Sequence, residues 1–319
     1  FKDCKKIYVY CPGGSVTGGP ELLHQLVSEL VKNNVPASIV YYPCNRVWTT
    51  PEPYLRYECP VEREAPDNSD IAVIVPEVAT DLLHHFSSAL RCIWWLSVDN
   101  YRGNFENRHQ AKLFIKRCIL SGIKSPEETI HLCQSLYSKT FIERRFGVTG
   151  YLLSDYIADE FFDIGPLISR KDIVIYNPKK GVSTTSSIIR NGPGIRFSPI
   201  VNMTRDQVRE TLRSAKVYID FGYHPGKDRI PREAASCGCV VIVGKRGSAK
   251  NDDDVSIPSD YKFEPWQGKQ VVAQIRRVLA DYPSHYYAQE PYRLRIRSEK
   301  SEFAARVRTL FGCISAELP

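Results

Sequence analysis

Apolar positions in the first 150 residues alternate between two periods. Residues 6–11 are a mostly apolar, β-prone run, and residues 37–42 repeat that pattern. Between them Leu22, Leu23, Leu26, Val27, Leu30 and Val31 recur at helical spacing, so residues 20–33 are expected to form a helix with one face on a sheet. Strand, helix and strand make a β-α-β unit. Short apolar runs at 71–75 and 92–96, flanked by polar or turn residues, predict two more strands with a helix over 80–90 between them. The longest apolar stretch, 91–98, reads as a buried strand whose Trp94 and Trp95 pack in the core. Residues 115–120 and 127–132 continue the alternation less clearly.

A second series follows a break at residues 151–155. Strands are expected at 173–176 and 195–198, and a helix over 204–215 with a capping box from Thr204 to Gln207. The segment 218–243 then compresses a strand, a polar glycine loop, a helix start and a second strand. Pro231 suits the first helical position, which places Glu233 in the first turn, and Gly238 stops the helix before the apolar run 240–243. Helices over 271–279 and 301–311 close the chain. Two successive α/β series predict an α/β protein of two Rossmann-like domains facing a central cleft: residues 1–153 and 154–299, with a C-terminal helix over about 300–319 returning to the first.

Length and composition agree with that plan. At 319 residues the chain exceeds the usual size of one core, and its 43% hydrophobic and 25% charged residues are an ordinary globular balance. No apolar run approaches the roughly 20 residues needed to span a bilayer. The chain starts at Phe1 and has one methionine, Met203, so a longer parent polypeptide is expected. Of ten cysteines, Cys11, Cys92, Cys118, Cys133 and Cys239 lie in or beside apolar segments and read as core thiols in a reducing, cytoplasmic setting. Cys237 and Cys239 have no second pair at zinc-finger spacing, which argues against a structural zinc.

The net charge of +7, from 43 basic and 36 acidic residues, suits anionic small molecules or an acidic membrane surface as well as it suits nucleic acid. No basic stripe interleaved with aromatics points to nucleic acid. Basic residues gather at 179–180 and 227–232, and again at Arg293, Arg295, Arg297, Lys300, Arg306 and Arg308. The second group is expected to be the solvated face of an amphipathic helix, with a peripheral membrane contact as the alternative.

Three loops carry candidate chemistry. Glycine pairs at 13/14 and 18/19 after the first strand let backbone approach a ligand, and Pro20 opens a helix whose N-terminus would point at it. The loop is neither the G-x-G-x-x-G fingerprint nor a Walker motif, so neither a nicotinamide cofactor nor ATP is supported. Asn177-Pro178-Lys179-Lys180-Gly181 puts two lysines at a strand's carboxyl end, and Lys227 and Arg229 follow a later strand of the same sheet. Together they suit a pyrophosphate.

With GGPELLHQLVSELV, LLSDYI, YNPKKG and HPGKDRIPREAASCGCVVIV, nearly the whole chain resembles a GT-B glycosyltransferase and is similar to the retaining family 4 enzymes. The resemblance implies an N-terminal acceptor domain and a C-terminal domain holding a nucleotide-sugar, with no metal and no other cofactor. It assigns the donor diphosphate to Gly18, Gly19, Lys179, Lys180, Lys227 and Arg229, and the ribose to Glu233. Eight positions before Glu233, where the family has a second carboxylate, stands Pro225. His224 as a catalytic residue or Asp228 as a contact of the donor sugar is expected in its place, with Asp99 on the acceptor side. The implied acceptor is a glycan, free or lipid-linked, of polysaccharide assembly. Two rivals are a metal-dependent GT-A transferase chelating through 252–254 and a non-catalytic nucleotide-sugar-binding module of a longer protein.

Overall fold

Seven parallel strands form the first sheet of a computed structural model that describes residues 1–101, 123 and 125–312. They are β1 (Lys6–Pro12), β2 (Ala37–Tyr42), β3 (Val61–Glu62), β4 (Ile71–Pro76), β5 (Leu90–Trp95), β6 (Ile130–Cys133) and β7 (Gly150–Leu152), in the order β3-β2-β1-β4-β5-β6-β7. Helices α1 (Gly18–Lys32), α2 (Val98–Tyr101) and α3 (Leu136–Phe146) accompany them. Leu22, Leu23, Leu26, Val27 and Leu30 of α1 are all buried, as the helical spacing requires. The run 115–120 and Cys118 lie outside the described residues, and Cys11, Cys92, Cys133 and Cys239 are buried.

The helix expected over 80–90 is instead a 3-10 turn over Glu77–His85. Its far end is set by Asp67, whose carboxylate takes the backbone N–H groups of Ser87, Ser88 and Ala89 at 2.8–3.0 Å and so removes them from helical bonding. At the near end the Glu77 carboxylate is buried and accepts the Leu96 N–H at 2.9 Å, tying the end of β4 to the end of β5.

The second sheet has five parallel strands, β8 (Lys171–Tyr176), β9 (Arg196–Pro199), β10 (Ala215–Asp220), β11 (Val240–Gly244) and β12 (Lys262–Phe263), ordered β12-β11-β10-β8-β9. Six helices follow in sequence: α4 (Val182–Asn191), α5 (Arg205–Ser214), α6 (Arg229–Ser236), α7 (Gly268–Ala280), α8 (Tyr282–Ala288) and α9 (Glu290–Phe311). The capping box is present: the Thr204 hydroxyl accepts the Gln207 N–H and the Gln207 amide oxygen accepts the Thr204 N–H. Arg170 is buried and donates to the carbonyls of Ile164, Leu212, Ala215 and Cys237, which fastens the start of β8 to the ends of α5 and α6.

By contact the chain divides into Phe1–Asp155 with Ser301–Pro319, and Tyr156–Lys300, a boundary that falls inside α9. That helix begins eleven residues before the expected 301, because Tyr292, Ile296 and Glu299 are buried as well as Phe303 and Val307. Its basic run is not wholly solvated. Arg293 is buried with its guanidinium 3.6 Å from the Tyr286 ring centroid, whereas Arg295, Arg297, Arg306 and Arg308 are exposed, as is Lys300, which pairs with Asp159 at 2.5 Å. No helix among the described residues is long and apolar enough to cross a membrane.

Burial pushes the Glu77 carboxyl up to about 7 from an ordinary 4.5, against the opposing pull of the Leu96 and Ser97 N–H groups. The folded state therefore holds a proton there that the unfolded state releases, so this group makes stability fall as pH rises from about 4.5 to about 7. Glu77→Gln should flatten that slope, gaining up to about 3 kcal/mol relative to wild type at pH 8 over pH 4.5. Urea unfolding of both proteins at the two pH values checks it; parallel pH dependence would contradict it.

Candidate functional site

In the second sheet the strand order, written in chain order of its strands, is 5-4-3-1-2. Chain direction across the sheet reverses between β8 and β10, and open α/β sheets bind ligands at the carboxyl ends of strands flanking such a reversal. The turn after β8 carries Lys179, Lys180 and Gly181; the loop after β10 carries Gly222, His224, Lys227 and Asp228.

These two loops touch, and glycine is what lets them. Gly181 has φ +61°, and a Cβ there would lie 2.3 Å from the Phe221 carbonyl oxygen. A Cβ on Gly222 would lie 2.6 Å from the Lys180 Cβ. A third loop holds the second from the side of β11: the Ser248 N–H donates to the His224 carbonyl at 2.8 Å and its hydroxyl to the Gly226 carbonyl at 2.5 Å.

A file of charged and polar groups runs from the sheet to this surface. The Tyr218 hydroxyl donates to Asp220 Oδ2 at 3.1 Å, and the Gly222 N–H to Asp220 Oδ1 at 2.9 Å. His224 Nε2 stands 3.8 Å from Asp220 Oδ1, and His224 Nδ1 stands 3.3 Å from Asp228 Oδ2. The same Asp228 oxygen accepts Lys180 Nζ at 2.8 Å. Burial lowers the affinity of His224 for its proton, but Asp220 and Asp228 outweigh it and the imidazole is held above its usual range. Asp228 is pushed up by burial, yet Lys180 and His224 hold its carboxyl well below the usual carboxylate range.

Beneath the loop lies a second ionic centre. Glu299 of α9 accepts Lys227 Nζ and Arg232 Nη1, each at 2.7 Å, and Arg232 also donates to the Lys227 and Asp228 carbonyls. All three side chains are nearly buried, with Lys227 the most exposed at 11%.

The expected site residues fall into distinct settings. Lys179 is exposed in a turn closed by its N–H on the Asn177 side chain, and Lys180 is 37% exposed and paired with Asp228. Lys227 is 11% exposed and paired with Glu299 at 2.7 Å. Arg229 and Glu233 face each other along α6, Nε to Oε1 at 3.5 Å. Pro231 is the third residue of α6 and Glu233 the fifth, so Glu233 sits in the second turn, because the helix begins at Arg229 directly after Asp228. His224 is 1% exposed and cannot touch a sugar where it stands. Asp99 lies in the helical turn α2; its carboxylate is buried and accepts the Tyr137 hydroxyl at 3.0 Å.

Gly18 and Gly19 open α1, where a Cβ on Gly19 would meet only Leu96 Cδ1 at 3.8 Å, an ordinary contact. Gly13 and Gly14 have a packing reason, since a Cβ on either would run into the Trp48 indole. Sequence reasoning passed over Asp220, Arg232 and Glu299. Asp220 ends an apolar strand, which was a readable signal, whereas Glu299 lies about seventy residues from its partners and gave none.

Among the described residues, Asp220, His224 and Asp228 are the grouping with donor atoms suited to a metal ion, all within 4.8 Å of one another. Within this grouping the Lys180 ammonium contacts Asp228 Oδ2 at 2.8 Å. Of the 252–254 run, Asp252 pairs with Lys262 at 2.6 Å and Asp254 is buried.

Two all-parallel α/β units with these strand orders define the GT-B architecture. No protein-family model matches the chain, and no curated protein matches it. Solved structures do. It is similar to sucrose-phosphate synthase from Thermosynechococcus elongatus, at TM-score 0.68 and 13% identity over 97% of this chain and 98% of that one. A glycosyltransferase from Rickettsia africae gives 0.67 and 12% over 97% of each chain. HepE of Anabaena, solved in complex with UDP-glucose, gives 0.66 and 10% over 97% and 100%.

Removing the Glu299 charge would take one carboxylate from two largely buried cations, and breaking a buried pair typically costs about 3–5 kcal/mol. Glu299→Gln should therefore destabilise the protein by about 3 kcal/mol in urea unfolding. A loss below about 0.5 kcal/mol would mean that the pair behaves as an exposed one.

Proposed function

We propose that this protein is a glycosyltransferase that moves a sugar from a nucleoside-diphosphate sugar to a hydroxyl acceptor. The observation that carries it is the meeting of the Lys179-Lys180-Gly181 turn with the Gly222–Asp228 loop at the carboxyl ends of β8 and β10. There the N-terminus of α4, whose N-cap position is Gly181, adds the positive end of a ten-residue helix beside the lysines. The GT-B fold supports the reading, as does the complex of one fold neighbour with UDP-glucose.

In this proposal Lys179 and Lys180 bind the diphosphate and stabilise the charge that builds on it as the glycosidic bond breaks, so no metal is required. Glu233 holds the ribose, with Arg229 beside it to orient the carboxylate. The acceptor hydroxyl enters on the face that the nucleotide leaves, with retention, and is carried by a glycan or lipid-linked glycan. Gly19, whose small size no neighbour demands, leaves room for a ligand at the start of α1. The exposed Arg295, Arg306 and Arg308 of α9 are the residues that would meet an acidic membrane surface at a cytoplasmic location.

A non-catalytic nucleotide-sugar-binding module is the second reading, favoured by Pro225 at the position of the family's second carboxylate. Incubation with a nucleotide-sugar panel separates the two, since binding without transfer or hydrolysis would support the module. Loss of turnover with a chelator and its return with manganese would contradict metal independence.

For the site itself, Lys180→Met should weaken nucleoside diphosphate binding about tenfold or more, the worth of one charge-assisted contact, and leave the nucleoside nearly unaffected. Glu233→Ala should weaken both. Calorimetry on the tightest binder among UDP, GDP, TDP, ADP and CDP reads the difference; equal losses with Lys180→Met would rule out a diphosphate role for Lys180.

A further inference from the structure

One oxygen of Asp228 faces two cations, Lys180 Nζ at 2.8 Å and His224 Nδ1 at 3.3 Å. The first is 37% exposed and lies beside the start of α4; the second is 1% exposed. A buried carboxylate left without a cation is strongly disfavoured, so Lys180 alone could not leave Asp228 for another anion. His224 changes that. It keeps the charge of Asp228 matched when Lys180 moves, and Asp220 behind it matches the imidazolium in turn.

We propose that His224 is a positioning residue for Lys180: it holds Asp228 from inside the loop so that the lysine ammonium can transfer to the diphosphate of a bound nucleotide. This rests on the donor reading above and gives His224 a role without sugar contact. Nε2 of His224 has no hydrogen-bond partner among the described residues and lies nearest to Asp220, an ionic contact in place of a fixed bond. The ring is thus held by charge on both sides.

Other charged and titratable groups face His224 across a small shared cavity: Lys227 from its own loop, Arg232 from α6, Asp254 from the loop after β11 and Tyr292 from α9. Lys227 and Arg232 are both held by Glu299, so the nearest charges that a ligand can rearrange are those of the file itself.

A proton linkage follows. Once Lys180 leaves Asp228, a nearby positive charge that opposed the His224 proton is gone, and the imidazole holds its proton more tightly in the complex. Binding of the diphosphate should therefore take up a proton at His224, and affinity should fall as pH rises through the His224 range. Its ordinary value is 6.5 and the fold raises it, so the fall belongs above that value.

The test is calorimetry between about pH 7.5 and 9, where the terminal phosphate, with its pKa near about 6, is already ionised. UDP, GDP, TDP, ADP and CDP are titrated first, and the tightest is carried forward with its nucleoside, in buffers of differing ionisation heat. Wild type should take up a fraction of a proton with the diphosphate and lose up to about tenfold in affinity per pH unit. His224→Gln should remove both the uptake and the slope, weaken the diphosphate at pH 7.5, and spare the nucleoside. Combined with Lys180→Met it should cost little more than either change alone, because the two act as one unit.

Unchanged uptake in His224→Gln, equal loss of nucleoside and diphosphate, or additive losses in the double variant would each overturn the proposal. Should His224→Gln not fold, Lys180→Met serves instead, since it must also abolish proton uptake; uptake that survives it overturns the proposal too. Wild type that binds none of the five diphosphates defeats the donor reading and this inference together. Binding that ignores His224 defeats this inference alone.

Discussion

Glu299 accepts both Lys227 and Arg232 in a setting nearly closed to water, and the loop that carries the candidate site hangs on that pairing. Water cannot compensate a charge at such depth, so each of the three needs the others in place. Arg232 extends the constraint to the backbone by donating to the Lys227 and Asp228 carbonyls. Position and charge of the loop are thereby fixed together, and the Asp228 carboxylate emerges within reach of Lys180 and His224. The cations around this loop thus divide by depth: Lys227 and Arg232 build it from beneath, and Lys180 of the turn after β8 is left nearer the surface.

The sheet determines where that surface is. With β8 and β10 adjacent and the chain leaving them in opposite directions, their carboxyl ends open a crevice that neither neighbouring strand fills. Gly181 and Gly222 bring the two loops close enough to share ion pairs, and Gly247 and Ser248 brace the arrangement from β11. A Cβ at Gly247 would lie 2.0 Å from the His224 carbonyl oxygen, so the brace depends on glycine as well.

Strand and helix periodicity made both α/β series legible, because parallel strands buried on two faces leave continuous apolar runs and their helices leave a 3.6-residue stripe. The capping box at Thr204 was legible for a similar reason, being a local code complete within four residues. What failed was local competition. The 80–90 pattern is helical in spacing, but Asp67 claims the N–H groups that a helix would use, and nothing near Asp67 announces this. For α9 the apolar stripe before 301 is interrupted by Arg293 and Glu299, charges that read as surface and are buried by tertiary pairing. In the site, the lysine turn and the HPGKDR loop were readable as basic loops of one sheet. Which of their charges is spent internally was not, since Lys227 and Lys180 differ only in the partners that distant residues supply.

The charge count of the inner file makes sense of Pro225. With His224 protonated, the state that its two carboxylate neighbours favour, Asp220, His224, Asp228 and Lys180 sum to zero, and a further carboxylate at 225 would add an unmatched negative charge to the loop. Lys227 is already paired with Glu299. A neutral file can answer an arriving anion by moving the Lys180 charge a short way outward, with His224 and Asp220 preventing a bare carboxylate from being left behind. In the proposed function the HPGKDR loop thus works through a self-balanced ionic file in place of a carboxylate at 225, and what a donor would ask of it is the delivery of Lys180 to the diphosphate.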